Sequence, residues 1–376
     1  MKKLNYARYL ITKEWLPLFI VFTAIGLISF FSYLMTHSFY DPSYYNTSLA
    51  ALTAPMMVFA IVLPLFVFNY KYSLKRGDTY YQLPLDQREL KNTRVLTGLF
   101  ILVVSFILAA SLPYVAYTIR YIFAPDYIHM SYNVTYFKYL NAGALLGAIG
   151  IAFVLVIIEY FISCYFTSLS SKPVSALLIS LSFHLILIFT LYSIFGFAYN
   201  IAETTHRKDG SHLDDMANIA IEFSPGPVII FGLPDYIVKA YAFDLKNQTF
   251  PFDSDNYQRT VLIINIVLEL LIGSAACFLT LFKKDGSGES CNNYGFTNKK
   301  LNSLFFLSAI PVVLFALNGV GVFGFENILG TVIVAAAYYF LFALFIGSFR
   351  MPAYSYIIIG VGSFVAIFGG FILEVL

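Results

Sequence analysis

Nine apolar runs, each close to the twenty or so residues a helix needs to cross a bilayer core of about 30 Å, constrain this chain more than any other feature. They are roughly Leu16–Met35, Leu49–Tyr70, Val95–Tyr117, Ala142–Phe166, Pro173–Ala198, Thr260–Phe282, Asn302–Val322, Asn327–Gly347 and Tyr354–Leu373. Backbone groups in hydrocarbon must pair within their own segment, so such runs imply an all-α, polytopic membrane protein of about nine helices. Only 12% of the 376 residues are charged, against roughly 25% in soluble domains. An ordinary soluble domain is excluded.

Lysine and arginine set the orientation, because cytoplasmic loops keep positive charge during insertion. With the N-terminus inside, sixteen of the 23 basic residues fall on the cytoplasmic side, six of them (Lys71, Lys75, Arg76, Arg88, Lys91, Arg94) between the second and third runs. Outside, the segment 199–259 holds more acids than bases. Its stretch EFSPGPVIIFGLPDYIVKAYAF is apolar but broken by Pro225, Pro227, Gly232 and Pro234, which suits short helices at or dipping into the outer surface rather than a full span. A net charge of +2 implies no nucleic-acid partner.

The basic start MKKLNYARYLITKEW leads into the first run without a small-residue cleavage site, so it reads as a retained first span rather than a signal peptide. Cys164, Cys277 and Cys291 read as unpaired thiols. No internal repeat is visible, and the loop KKDGSGESCNNYGFTNKK after Phe282 divides a six-span part, 1–282, from a loop and three further spans, 283–376. Tyrosine clusters at 44–45, 114–121 and 132–139 fall near the ends of runs, where aromatic belts anchor helices.

A catalytic reading needs a recognisable constellation. The chain has no GxxxxGK[ST] phosphate loop, no HExxH and no CxxC. Any ATP must therefore be bound by another chain. Three ionisable residues lie inside apolar runs, Glu159, His184 and Glu269, where a charge costs about 2.5–3.5 kcal/mol on insertion scales. They have two readings: they line a substrate or proton pathway, or each is a neutral or hydrogen-bonded residue facing a neighbouring helix.

The polar island RGDTYYQLPLDQREL, residues 76–90, is more specific. Gly77–Asp78 permits a turn, and Asp78 can cap a short helix through Thr79, Tyr80, Tyr81 and Gln82 that Pro84 ends. Asp86 and Glu89 have capping-box spacing for a second helix running through Leu90 and Arg94 into the third span. The first helix is amphipathic, and its Tyr80, Tyr81 and Leu83 suit a groove in a second protein. The alternative is a cytoplasmic loop whose charges only fix topology.

The run from Gly77 to Leu90, with Arg94 behind it, resembles the loop between the second and third spans of type-2 ATP-binding-cassette transporter permeases, and the loop after Phe282 resembles patterns of Gram-positive antibiotic-response permeases. Gly77, Thr79, Leu83, Pro84, Asp86, Gln87, Glu89 and Arg94 stand at matching places. The resemblance implies that 78–90 includes a coupling helix docking on a cytosolic ATPase, with Gly77, Asp78, Thr79, Tyr80, Tyr81, Leu83, Pro84, Asp86, Arg88 and Glu89 as contacts. It implies that the N-terminal segment is an interfacial elbow helix, and that the broken acidic segment forms outer re-entrant helices. The chain departs from the family in carrying Lys75 and Arg76 where an acid often stands, and in its last three spans. The resemblance thus implies a bacterial plasma-membrane permease that is not itself an enzyme. It pairs with a second permease and with ATPases that bind ATP and Mg, and it exports a hydrophobic or amphipathic substrate. Two other classes stay open: a non-transporting immunity or sensor protein for an antimicrobial peptide, and a proton-coupled secondary transporter using Glu159 and Glu269.

Overall fold

The computed structural model describes residues 2–36, 43–72, 86–124, 127–130, 134–137, 142–170, 172–180 and 256–282, with isolated positions beyond. The fifth expected span is described only at its start, where 173–180 are helical, and the last three lie outside the described residues apart from those isolated positions. Two compact units share the chain: Met1–Tyr70 with Asp78–Tyr165 and Gly226–Asp285 in one, and Lys71–Gly77 with Phe166–Pro225 and Gly286–Leu376 in the other.

The first unit is built of helices α1 (Lys2–Tyr9), α2 (Leu16–Thr36), α3 (Ser43–Val67), α4 (Gln87–Phe123), α5 (Ala142–Leu169, which continues past the unit's last residue) and α6 (Asn256–Phe282). Among the described residues four helical stretches are long and apolar enough to cross a membrane, Leu4–Met35, Leu49–Val67, Arg88–Phe123 and Leu145–Leu169. These correspond to the first four expected spans. At 1.5 Å per residue the 37 residues of α4 extend about 55 Å, well beyond the hydrocarbon core.

Two features differ from the sequence expectation. The N-terminal segment is not a separate elbow helix: α1 passes into α2 through a π-helical turn, Leu10–Trp15, with helical dihedrals at both junctions. Pro17 explains the turn, since its ring crowds the carbonyl one turn earlier and it has no N–H to donate, and a widened turn relieves both. The fold is also not purely α. Tyr127–Met130 and Val134–Phe137 form a short antiparallel hairpin after α4, in the register Tyr127↔Phe137 and His129↔Thr135. Valine, threonine and aromatic residues concentrated over 134–137 favour the extended chain there.

Packing among the spans relies on small residues, as expected where lipid offers no hydrophobic drive for helix association. A Cβ on Gly26 of α2 would strike Met56 of α3 and come within 3.2 Å of Ala109 of α4. One on Gly273 of α6 would lie 2.8 Å from Ile158 of α5. Phe22 stacks on Phe59 at 4.6 Å and Phe106 meets Phe153 at 5.2 Å. Polar ties add direction: the Ser29 hydroxyl donates to the Ala51 carbonyl at 2.7 Å. Arg120 donates to the Met35 carbonyl at 2.8 Å, satisfying an acceptor that the end of α2 leaves open.

The 3₁₀ turn Asn69–Tyr72 leads out of α3, and its last two residues begin the second unit. Its Lys71 ammonium donates to the Ser168 carbonyl at 3.0 Å, a favourable place for a cation near a helix C-terminus. Tyr72, just beyond the second span, has a hydroxyl without a hydrogen-bond partner among the described residues. Burial raises its phenol pKa well above the ordinary value. The folded chain therefore holds the proton more tightly than the unfolded one, so stability is complete below about pH 10 and falls as pH rises beyond it. Tyr72→Phe removes a buried hydroxyl that makes no hydrogen bond among the described residues, so it should raise neutral stability slightly and abolish this alkaline loss, as thermal melts across pH 8 to 12 would show.

Candidate functional site

The seven residues Gly77, Asp78, Thr79, Tyr80, Tyr81, Leu83 and Pro84 lie outside the described residues, whereas the foot of the loop is described on both sides. On the far side Asp86 is extended (φ −64°, ψ 143°) and α4 starts at Gln87. The Asp86 carbonyl accepts from the Leu90 N–H at 2.9 Å, but its carboxylate makes no capping hydrogen bond, so the expected capping box is not formed. Backbone geometry alone starts the helix, with Glu89 in the first turn favoured by the helix dipole. Glu89 is exposed at its surface. Arg88, also exposed, places its guanidinium 5.1 Å above the ring of Phe282 at the end of α6, a cation–π contact that joins the loop's foot to the sixth expected span.

Two turns into α4 stands Arg94, only 5% exposed. Nε donates to the Val67 carbonyl at 2.7 Å and Nη2 to the Phe66 carbonyl at 3.0 Å, both at the end of α3, where the helix leaves its last acceptors open. Nη1 donates to the Tyr6 hydroxyl of α1 at 2.9 Å, and Nη2 pairs with the Glu14 carboxylate at 3.3 Å. The rings of Trp15 and Tyr70 each lie 5.5 Å from the guanidinium carbon. A planar fork with several donors serves all these partners at once, which one ammonium does not. The result is a fixed junction: the end of α3, the start of α4 and the N-terminal helix converge on one buried cation. The described residues that flank the polar loop in sequence, Phe66, Val67 and Tyr70 before it and Arg94 after it, meet at this junction.

Farther into the bundle, the Tyr160 hydroxyl of α5 donates to the Val95 carbonyl of α4 at 2.7 Å. Gly98 leaves room for that hydroxyl, which any Cβ at position 98 would strike. Glu159, the neighbour of Tyr160, is 2% exposed and accepts a hydrogen bond from the Ser163 hydroxyl at 3.0 Å. Of the other two ionisable residues in apolar runs, Glu269 falls in helix α6 with its side chain outside the described residues, and His184 lies outside them altogether. The three are therefore not brought together by the described part of the structure.

Sequence reasoning placed Arg94 at the foot of the loop but missed Glu14, Tyr6 and Trp15. A signal was present. Arg94 is the last charge before the apolar run that begins at Val95, and Glu14 is the last before the run that begins at Leu16. Two helices entering the membrane from one side put those residues at one depth, where a buried cation needs a carboxylate. Comparison with protein-family models, with curated proteins and with solved structures yields no match.

Proposed function

We propose that this chain is the membrane permease subunit of an ATP-driven exporter of the ATP-binding-cassette kind, in a bacterial plasma membrane. It carries a hydrophobic or amphipathic substrate such as a peptide antibiotic, another peptide or a lipid. ATP and Mg are bound by separate cytosolic ATPase subunits, and two permease chains complete the pathway. The segment Gly77–Pro84 receives the ATPase's movement, and Asp86, Arg88 and Glu89 continue that surface onto α4.

One observation carries the reading most: the loop is rooted in a rigid, buried junction rather than in two independent helix ends. A force applied near Leu83 is delivered to Arg94, and from there to the second span through the Phe66 and Val67 carbonyls and to the third through the backbone of α4. A loop that served only to hold topology has no need of such a root. The absence of a phosphate-binding loop in the sequence gives the partner its task.

Affinity purification of the tagged chain from its native membrane tests this. A cytosolic ATPase should accompany it, and Leu83→Asp or Glu89→Lys should remove the ATPase while leaving the melting temperature of the purified chain unchanged. Copies of the chain that purify without any ATPase would refute the proposal. So would variants whose ATP-dependent export equals that of the parent.

A further inference from the structure

The first fifteen residues contain four bases, Lys2, Lys3, Arg8 and Lys13, and one acid, Glu14. The acid is held by Arg94 at 3.3 Å, so the outward charge of this segment is basic. Arg8 and Lys13 are exposed, and neither forms an ion pair among the described residues. Leu4 and Tyr9, apolar neighbours on the same segment, are 76% and 52% exposed. Beyond Lys13 the exposed side continues into the membrane as Leu16, Ile20, Ala24 and Ile28. Steps of four residues keep Leu16, Ile20, Ala24 and Ile28 in one row along α2, and Lys13 is exposed in the π turn just before that row begins.

Depth completes the picture. The 21 residues of α2 measure about 31 Å, which matches the hydrocarbon core, so Lys13 stands at headgroup level and Arg8 about 7 Å farther out. An apolar row ending at a cation, with a tyrosine beside it and a second cation one step higher, matches a phospholipid lying along a helix. The acyl chain follows Ile20 and Leu16, and the phosphate meets the flexible Lys13 ammonium.

We propose that this edge of the first helix is a docking surface for an anionic phospholipid of the leaflet on the N-terminal side, with Lys13 and Arg8 holding its headgroup. The inference needs the membrane placement of the helix and is independent of any ATPase partner. Trp15, the single tryptophan of the chain, is fully buried against Arg94 and reports on the fold, whereas Leu16 next to it is exposed on the proposed surface.

The test adds an exposed reporter beside Lys13, Leu16→Trp, and follows its short-range quenching in nanodiscs of phosphatidylcholine containing a minority of brominated phosphatidylglycerol or, at equal content, brominated phosphatidylcholine, with the buried Trp15 as a constant background. The anionic lipid should quench several-fold more effectively, and the preference should shrink as salt screens the surface charge. Each basic residue near an anionic surface contributes at most about fivefold, so Arg8→Gln with Lys13→Gln, which removes both charges, should bring the several-fold preference to near parity. An unchanged melting temperature in plain phosphatidylcholine, the same for the reporter chain and its double variant, shows that the fold is retained. Equal quenching by the two lipids would overturn the proposal, as would a preference that survives in the double variant. Soluble glycerophosphoglycerol that reverses the quenching at concentrations comparable to the lipid would overturn it too, by marking a free-phosphate site.

Discussion

Replacing Arg94 with alanine is expected to lower the stability of the described helical unit by about 3–5 kcal/mol, chiefly from two carbonyl acceptors left without their donor and from lost packing. Three classes of partner are stranded together. The Phe66 and Val67 carbonyls at the end of α3 lose their donor inside the protein, where an unmade hydrogen bond costs about 1–3 kcal/mol each. Trp15 and Tyr70 lose the cation that lies over both rings, and a cavity replaces it. The Glu14 carboxylate loses its counter-charge, but at 38% exposure it turns to water, so this share of the loss is small. Arg94→Lys should recover no more than about half, because an ammonium keeps the charge but neither stacks as a plane nor forks between the carbonyls. Thermal unfolding in detergent, followed by Trp15 emission, measures both variants. A loss below about 1 kcal/mol for Arg94→Ala, within the range of an exposed pair, would show that the junction does not hold the helices together. If the proposed function holds, Arg94→Lys should also uncouple: ATP hydrolysis by the bound partner would continue while export falls.

The sequence carried the membrane character and four spans clearly, because a run of twenty apolar residues has few other solutions. It also located the start of α4, since Asp86 precedes a region of helical pattern and the helix does begin at Gln87. It misread the means. Asp–x–x–Glu spacing is compatible with a capping box, but a side chain at an exposed helix start also has water for a partner, and the Asp86 carboxylate leaves the cap unmade. The hairpin at 127–137 escaped notice because four-residue strands give a period too short to stand out beside spans of twenty. The join between α1 and α2 was hidden for another reason. Basic, amphipathic residues followed by an apolar run suggest two helices at an angle, and only the local effect of Pro17, absorbed by a π turn, decides that the backbone continues. The junction around Arg94 was half legible: its cation follows from position in the chain, whereas its partners come from elements some 80 residues away and emerge only when three helices are assembled.

The other large effect is expected one turn deeper, where Gly98→Leu should cost about 3 kcal/mol, the upper part of the range for overfilling a packed interior. Even the first carbon of the new side chain would strike the Tyr160 hydroxyl and lie 2.9 Å from Val67 Cγ2. Neither neighbour is free to yield. Tyr160 is fully buried with its hydroxyl bonded to the Val95 carbonyl at 2.7 Å, and the carbonyl of Val67 is the closest acceptor of Arg94. One substitution thus presses on both the α4–α5 tie and the junction at the loop's foot. The contributions separate by a cycle of variants. Tyr160→Phe alone should cost only about 0.6 kcal/mol, the average for a side-chain hydrogen bond between membrane helices. Gly98→Ala combined with Tyr160→Phe should cost less than the sum of the two singles, because removing the hydroxyl makes the space that the methyl needs. Strict additivity would mean that Gly98 matters through backbone freedom and not through this contact. A Gly98→Leu chain that melts with the parent would mean that α4 and α5 are not in direct contact here, and that the second span and the loop's foot are held by Arg94 alone.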